Sequence, residues 1–177
     1  TLPRLFRDNG YTTVSVGKIY HYNHDDPDGW VRRHTDTFVS EGAWCDGYCS
    51  GYQLPANRAT VESYLRGKRF KDGSPASAIT EITDTPDEKT PDGIIAQRAI
   101  EELRKLQQAG APFFLAAGFY RPHMPLTAPQ KYWDLYDHAQ VALPANFRQA
   151  DDGIPRDDWN EVRRYGDCPW EGPMPEE

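Results

Sequence analysis

Residues 112–136, PFFLAAGFYRPHMPLTAPQKYWDLY, decide how the rest of the chain is read. Pro112 to Gly118 is a continuous apolar run between Gly110 and Arg121-Pro122. It is short enough for a strand, and its uniform apolarity predicts one covered on both faces. Directly beyond it, Pro122 and Pro125 fix their own φ and push the residues before them toward extended conformations, so His123 sits on a stiff, non-helical loop. In open α/β sheets the ligand crevice lies outside the carboxyl ends of the strands, so an imidazole at this position has functional potential. A loop histidine with only local hydrogen bonds would occupy the same place, and position alone leaves both readings open.

Upstream, Asp92 to Gln108 is the strongest helical pattern, with Ile94, Ile95, Ala99, Leu103 and Leu106 as its apolar stripe. Thr90-Pro91-Asp92 opens it and Gly110 closes it. At the usual rise it spans about 25 Å, and the step from this helix into strand 112–118 is one that covers a sheet face. At the start of the chain, Leu2, Leu5 and Phe6 recur at helical spacing and Asn9-Gly10 supplies a stop. Tyr11 to Gly17, YTTVSVG, then reads as a strand rich in β-branched residues. Lys18 and His21 follow in GKIYH, so they too emerge at a strand end. Downstream, Ala128 to Tyr136 predicts a short helix opened by Pro129 and packed through Tyr132, Trp133 and Leu135.

These core elements occupy residues 1–22 and 92–137. Residues 23–91, with turns such as HDDPDGW and TPDEKTPDG, read as a long irregular insertion. Within it, residues 58–66 suit one or two helical turns, and Phe70 to Thr83 suits a hairpin turning at Asp72-Gly73. Asp25, Asp26 and Asp28 lack the spacing of an EF-hand loop and read as a solvated turn. Residues 138–177 are proline-rich, acidic and irregular.

With 177 residues, one domain is expected. The formal net charge of −7 and the lack of a basic tract argue against nucleic-acid binding. No apolar run approaches the roughly 18 residues of a membrane span. No signal peptide is visible, and the ends read as cut. Cys45, Cys49 and Cys168 force no disulfide framework.

Lys18, His21 and His123 form the candidate chemical group. A lysine point charge suits an anionic oxygen, and a histidine near neutral pH suits proton donation to a leaving group. Together they fit hydrolysis of an ester of sulfur or phosphorus. The chain holds no GxSxG elbow, phosphate loop, HExxH helix or dinucleotide fingerprint. Cys45-x3-Cys49 lacks partners for a zinc site, and Arg121 is at most a weak anion contact.

TLPRLFRDNGYTTVSVGKIYH resembles the helix, strand and active-site loop of the sulfatases, and PFFLAAGFYRPHMPLTAPQKYWDLYD resembles their later strand and histidine loop. The forms K-x-x-H and R-P-H-x-P are most similar to the iduronate-sulfatase-like branch. The resemblance implies an α/β fold, part of an alkaline-phosphatase-like α/β/α sandwich. It implies that Lys18 contacts the sulfate group, that His21 lies near the catalytic aldehyde residue, and that His123 contacts the sulfate and protonates the leaving group. It also implies calcium and a formylglycine nucleophile made from cysteine or serine in C/S-x-P-x-R. No cysteine here stands in that motif, and the paired aspartates, the later aspartate with its neighbouring ligand and a second sulfate-binding lysine are missing. The chain therefore reads as the middle of a sulfatase catalytic domain, inactive and poorly soluble on its own. The expected substrate is a sulfated sugar or another organic sulfate, and the expected setting, by resemblance, is periplasmic or extracellular. Phosphate or phosphonate ester hydrolysis within the same superfamily, and non-catalytic binding of a sulfated glycan, are the competing readings. For the second, Trp30, Trp44, Tyr48 and Tyr52 would stack on sugar rings, although local packing is the commoner role of such residues.

Overall fold

The computed structural model of the protein describes residues 1–20, 25–34, 52–59, 78, 80–123 and 125–142. In chain order these form α1 (Leu2–Asp8), β1 (Thr12–Gly17), β2 (Arg32–His34), α2 (residues 55–59), β3 (Thr80–Thr83), α3 (Pro91–Ala109), β4 (Phe113–Gly118), β5 (Leu126–Pro129) and α4 (Gln130–Trp133). They fall in two compact units, Thr1–Gly51 with Thr85–His123, and Tyr52–Asp84 with Met124–Glu177.

In the first unit β1 is the middle of a parallel three-stranded sheet of order β2-β1-β4. Its alternating side chains divide the two faces. Val14 and Val16, both fully buried, meet Ile95 and Leu106 of α3, with Leu115 and Phe113 of β4 packed alongside. On the opposite face Phe6 of α1 stacks on Phe114, with ring centroids 4.6 Å apart, and Trp30 stacks on the same ring at 6.0 Å. The result is a helix–sheet–helix sandwich, the layering expected of α/β proteins with parallel strands. Buried Thr13 is satisfied within it, donating to the Gly29 carbonyl at 2.8 Å and accepting from the Val31 N–H at 3.0 Å.

Several expectations are corrected here. Strand 112–118 is formed, but β4 is an edge among the described strands and is only half-buried; the strand covered on both faces is β1. On α3, Leu103 is 45% exposed, while Glu102 is 1% exposed and held by Arg32 and Lys105. The buried stripe therefore includes a charge that pattern reading assigns to solvent. Residues read as insertion supply β2 and the buried Trp30 to the core. Asp26 is not a solvated turn residue either. It is buried and ion-paired with Arg4 of α1, and it also accepts from Thr1. The Arg4 hydrogen bond and charge hold its carboxyl below the ordinary aspartate range.

In the second unit β3 and β5 pair in parallel, Thr80 opposite Leu126 through Thr83 opposite Pro129. Buried Glu81 accepts from the Gln53 and Leu54 N–H groups and from Asn57 Nδ2, which ties β3 to the start of α2. Tyr52 is fully buried and donates to the Ala78 carbonyl, so it and Trp30 are packing residues. Residues 80–83 thus form a strand, but the partner is β5, and the proposed turn at Asp72-Gly73 lies outside the described residues. The helix expected from Ala128 begins later and is short. Pro129 biases Ala128 toward extended backbone, so this stretch completes β5, and Tyr132 and Leu135 are 46% and 73% exposed. The three cysteines, Trp44, Tyr48 and the tail beyond residue 142 also lie outside the described residues.

Candidate active site

β1 and β4 run in register and end together, Gly17 opposite Gly118. Neither position has room for a side chain. A Cβ on Gly17, whose φ is +73°, would lie 2.2 Å from the Gly118 carbonyl oxygen and 2.8 Å from Ile95 Cδ1. A Cβ on Gly118 would lie 1.7 Å from the carbonyl oxygen of Lys18. This closeness lets the Lys18 N–H donate to the Gly118 oxygen at 2.9 Å, one residue beyond the ladder. Lys18 therefore leaves the sheet tied to the end of the neighbouring strand.

The histidine loop starts from that same end. Tyr120 is buried in the core beside α3, and its N–H donates to Asp92 Oδ1 at 2.8 Å. The Arg121 N–H donates to the other carboxylate oxygen, Oδ2, at 3.0 Å. The Arg121-Pro122 peptide is cis. His123 then closes a turn, its N–H donating to the Tyr120 carbonyl at 2.9 Å, while Arg121 Nη1 donates to the His123 carbonyl at 2.9 Å. Asp92 stands in the first turn of α3, where the unpaired N–H groups favour an anion.

Lys18 and the loop that carries His123 thus follow the carboxyl ends of adjacent parallel strands of one sheet. His21, three residues beyond Lys18, lies outside the described residues. Arg121 is engaged with the backbone of its own loop. Asp92 has no counterpart in the sequence reading. An aspartate after Thr-Pro signals a helix start, and nothing in its spacing distinguishes a carboxylate that reaches the next loop.

The described residues do not form a calcium site. Among the described residues no three His, Cys, Asp or Glu side chains converge as ligands. The nearest sequence pattern is neutralised by cations, with Asp25 on Arg33 and both Asp26 and Asp28 on Arg4.

The Sulfatase family profile matches residues 1–168. The chain belongs to the sulfatase family. This sulfatase chain is 30% identical over 175 residues to iduronate 2-sulfatase of Homo sapiens, covering 94% of this chain and 29% of that protein. It is 33% identical over 146 residues to a sulfatase of Formosa agariphila, covering 81% and 26%. It is 25% identical over 147 residues to choline-sulfatase of Rhizobium meliloti, covering 81% and 27%. The chain therefore spans less than a third of the length of each of these curated relatives. Among the described residues no helix is long and apolar enough to cross a membrane.

Proposed function

We propose that this chain is the middle segment of the catalytic domain of a sulfuric ester hydrolase, and that it supplies the groups that hold the sulfate and protonate the departing oxygen. The substrate class is a sulfated sugar or another organic sulfate, and the setting is periplasmic or extracellular. In the family the nucleophile is a formylglycine beside a divalent metal; no C/S-x-P-x-R stands in this sequence, and the described residues gather no cluster of metal ligands.

The observation that carries the reading is the shared edge of β1 and β4, from which Lys18 and the His123 loop both depart. A sulfate ester presents charged non-bridging oxygens and one bridging oxygen that leaves with the alcohol. The Lys18 ammonium offsets charge on the former. As a nucleophile supplied by the rest of the catalytic domain bonds to sulfur and the bond from sulfur to the bridging oxygen breaks, His123 donates a proton to that oxygen, which leaves as a neutral alcohol. His21, three residues beyond Lys18 in sequence, completes the proposed group. A histidine suits this step because imidazole changes charge near neutral pH.

The test is steady-state hydrolysis of nitrophenyl sulfate and an alkyl sulfate by the intact protein that carries this segment. His123→Ala is expected to lower kcat by about two to four decades, the usual contribution of a general acid. The loss should be larger for the alkyl ester, whose leaving group needs the proton more. An unchanged kcat on both esters would remove His123 from the mechanism.

A further inference from the structure

We infer that Asp92 is a positioning residue for His123, an inference that rests on the proposed role of His123 as the leaving-group acid. Both oxygens of the Asp92 carboxylate are committed to the histidine loop, one to the Tyr120 N–H at 2.8 Å and one to the Arg121 N–H at 3.0 Å. Two successive N–H groups gripped by one planar acceptor fix the direction of the chain as well as its position. His123 lies two residues further on, closed back onto the Tyr120 carbonyl and braced by Arg121 Nη1 on its own carbonyl.

The next turn of the same helix also sets the other half of the site. Ile95, one turn along α3, is fully buried, and its side chain fills the space beside Gly17, immediately before Lys18. The first two turns of α3 are thus a common reference for both strand ends. A bland role, in which Asp92 merely caps its own helix, is already filled. Thr90 is the N-cap, and its hydroxyl accepts from the Gly93 N–H at 3.0 Å. Removing the Asp92 carboxylate should therefore loosen the loop without unwinding the helix.

Asp92→Asn keeps one acceptor and turns an NH2 toward a backbone N–H, so one of the two loop bonds is lost. In the intact protein the expected result is a fall in kcat for an alkyl sulfate of about a hundredfold, the scale of a 1 Å misplacement. Nitrophenyl sulfate should lose much less, and KM should change little, because the proton donor is displaced rather than the binding site. The deciding measurement is the double variant Asp92→Asn with His123→Ala, which should be no slower than His123→Ala alone. Thr90→Ala, which weakens the same helix start, should leave the alkyl-to-nitrophenyl rate ratio as in the parent protein. If Asp92→Asn does not accumulate folded, Asp92→Glu replaces it in the cycle, keeping the charge but displacing the oxygens by one methylene. Additive losses in the double variant, or full activity in the single one, would overturn the inference. A silent His123→Ala would instead remove the reading beneath it.

Discussion

Adding one methyl group at Gly118 tests whether the edge of the sheet sets the position of Lys18. A Cβ there lies 1.7 Å from the Lys18 carbonyl oxygen, and real Cβ atoms essentially never approach closer than 3.0 Å, so Gly118 and the Lys18 backbone must separate by more than about 1 Å. The obstruction is main chain, which cannot rotate away as a side-chain tip would. Overpacking of this kind costs about 1–3 kcal/mol. Loss of the bond from the Lys18 N–H to Gly118 adds about 1 kcal/mol, for a combined cost of roughly 2–4 kcal/mol. Gly110→Ala is the matched control. Gly110 has a φ of +66° at the end of α3, yet a Cβ there meets nothing within 4 Å. Its substitution carries only the left-handed backbone penalty of about 1–2 kcal/mol. Urea unfolding and kcat/KM on nitrophenyl sulfate, both in the intact protein, separate the two variants. Gly118→Ala should be the less stable and should lose about a hundredfold in kcat/KM, because Lys18 has moved relative to Gly118 by more than about 1 Å. Gly110→Ala should keep its activity. Equal stability of the two variants, with wild-type kcat/KM in Gly118→Ala, would refute the steric argument and the placement of Lys18 with it.

Two further substitutions probe the core that supports this edge. Glu102 accepts from Arg32 Nε at 3.0 Å and Lys105 Nζ at 2.8 Å, with His34 Nε2 at 3.4 Å. Burial alone would push its carboxyl up, but the Lys105 and Arg32 hydrogen bonds and charges hold it below the ordinary range. A carboxyl lowered in the folded state contributes stability at neutral pH that is lost as pH falls through its folded value. Glu102→Gln should therefore cost about 1–3 kcal/mol at pH 7. The gap from wild type should close as the pH falls below the ordinary glutamate range and through the lowered folded value, and a gap independent of pH in urea titrations would contradict the pairing. Ile95→Ala empties a fully buried position between the helix and Gly17 and should cost about 2–5 kcal/mol; an unchanged unfolding midpoint would show that Ile95 is not core.

The parts legible in the sequence are those where local chemistry and tertiary role agree. β1 is written in β-branched residues and lies at the centre of the sheet; α3 carries its own start at Thr90 and its own stop at Gly110. What was missed depends on partners far along the chain. Glu102 reads as a solvent residue until Arg32, seventy positions earlier, is folded against it. Asp26 reads as part of an acidic turn until α1 presents Arg4. The second half of β5 is read as the start of a helix because its strand partner, residues 80–83, is remote in sequence. The site shows the same division. Lys18 and His123 could be placed at strand ends from the residues alone, whereas the adjacency of those two strands, and the carboxylate that grips the histidine loop, are long-range facts.

That adjacency carries a geometric consequence for the proposed chemistry. Neighbouring strands lie about 4.8 Å apart, a separation comparable with the breadth of one sulfate group. Groups leaving next-neighbour strands can therefore address different oxygens of a single anion, while groups two strands apart would straddle it. β1 and β4 meet this condition although residues 18 to 112 separate them in the chain, because α3 returns the chain in parallel beside β1. The glycine pair then keeps the strand ends free of side chains, so that Lys18 is the first large group beyond β1, while β4 is followed by Phe119 and buried Tyr120 before the histidine loop. On this reading the sheet edge fixes the spacing of the sulfate-handling groups, and α3 fixes their direction through Asp92 and Ile95. Substitutions on α3 should accordingly divide by face. Those at Asp92 would alter proton delivery with little loss of helix, and those at Glu102 would lower stability with no selective effect on the alkyl ester.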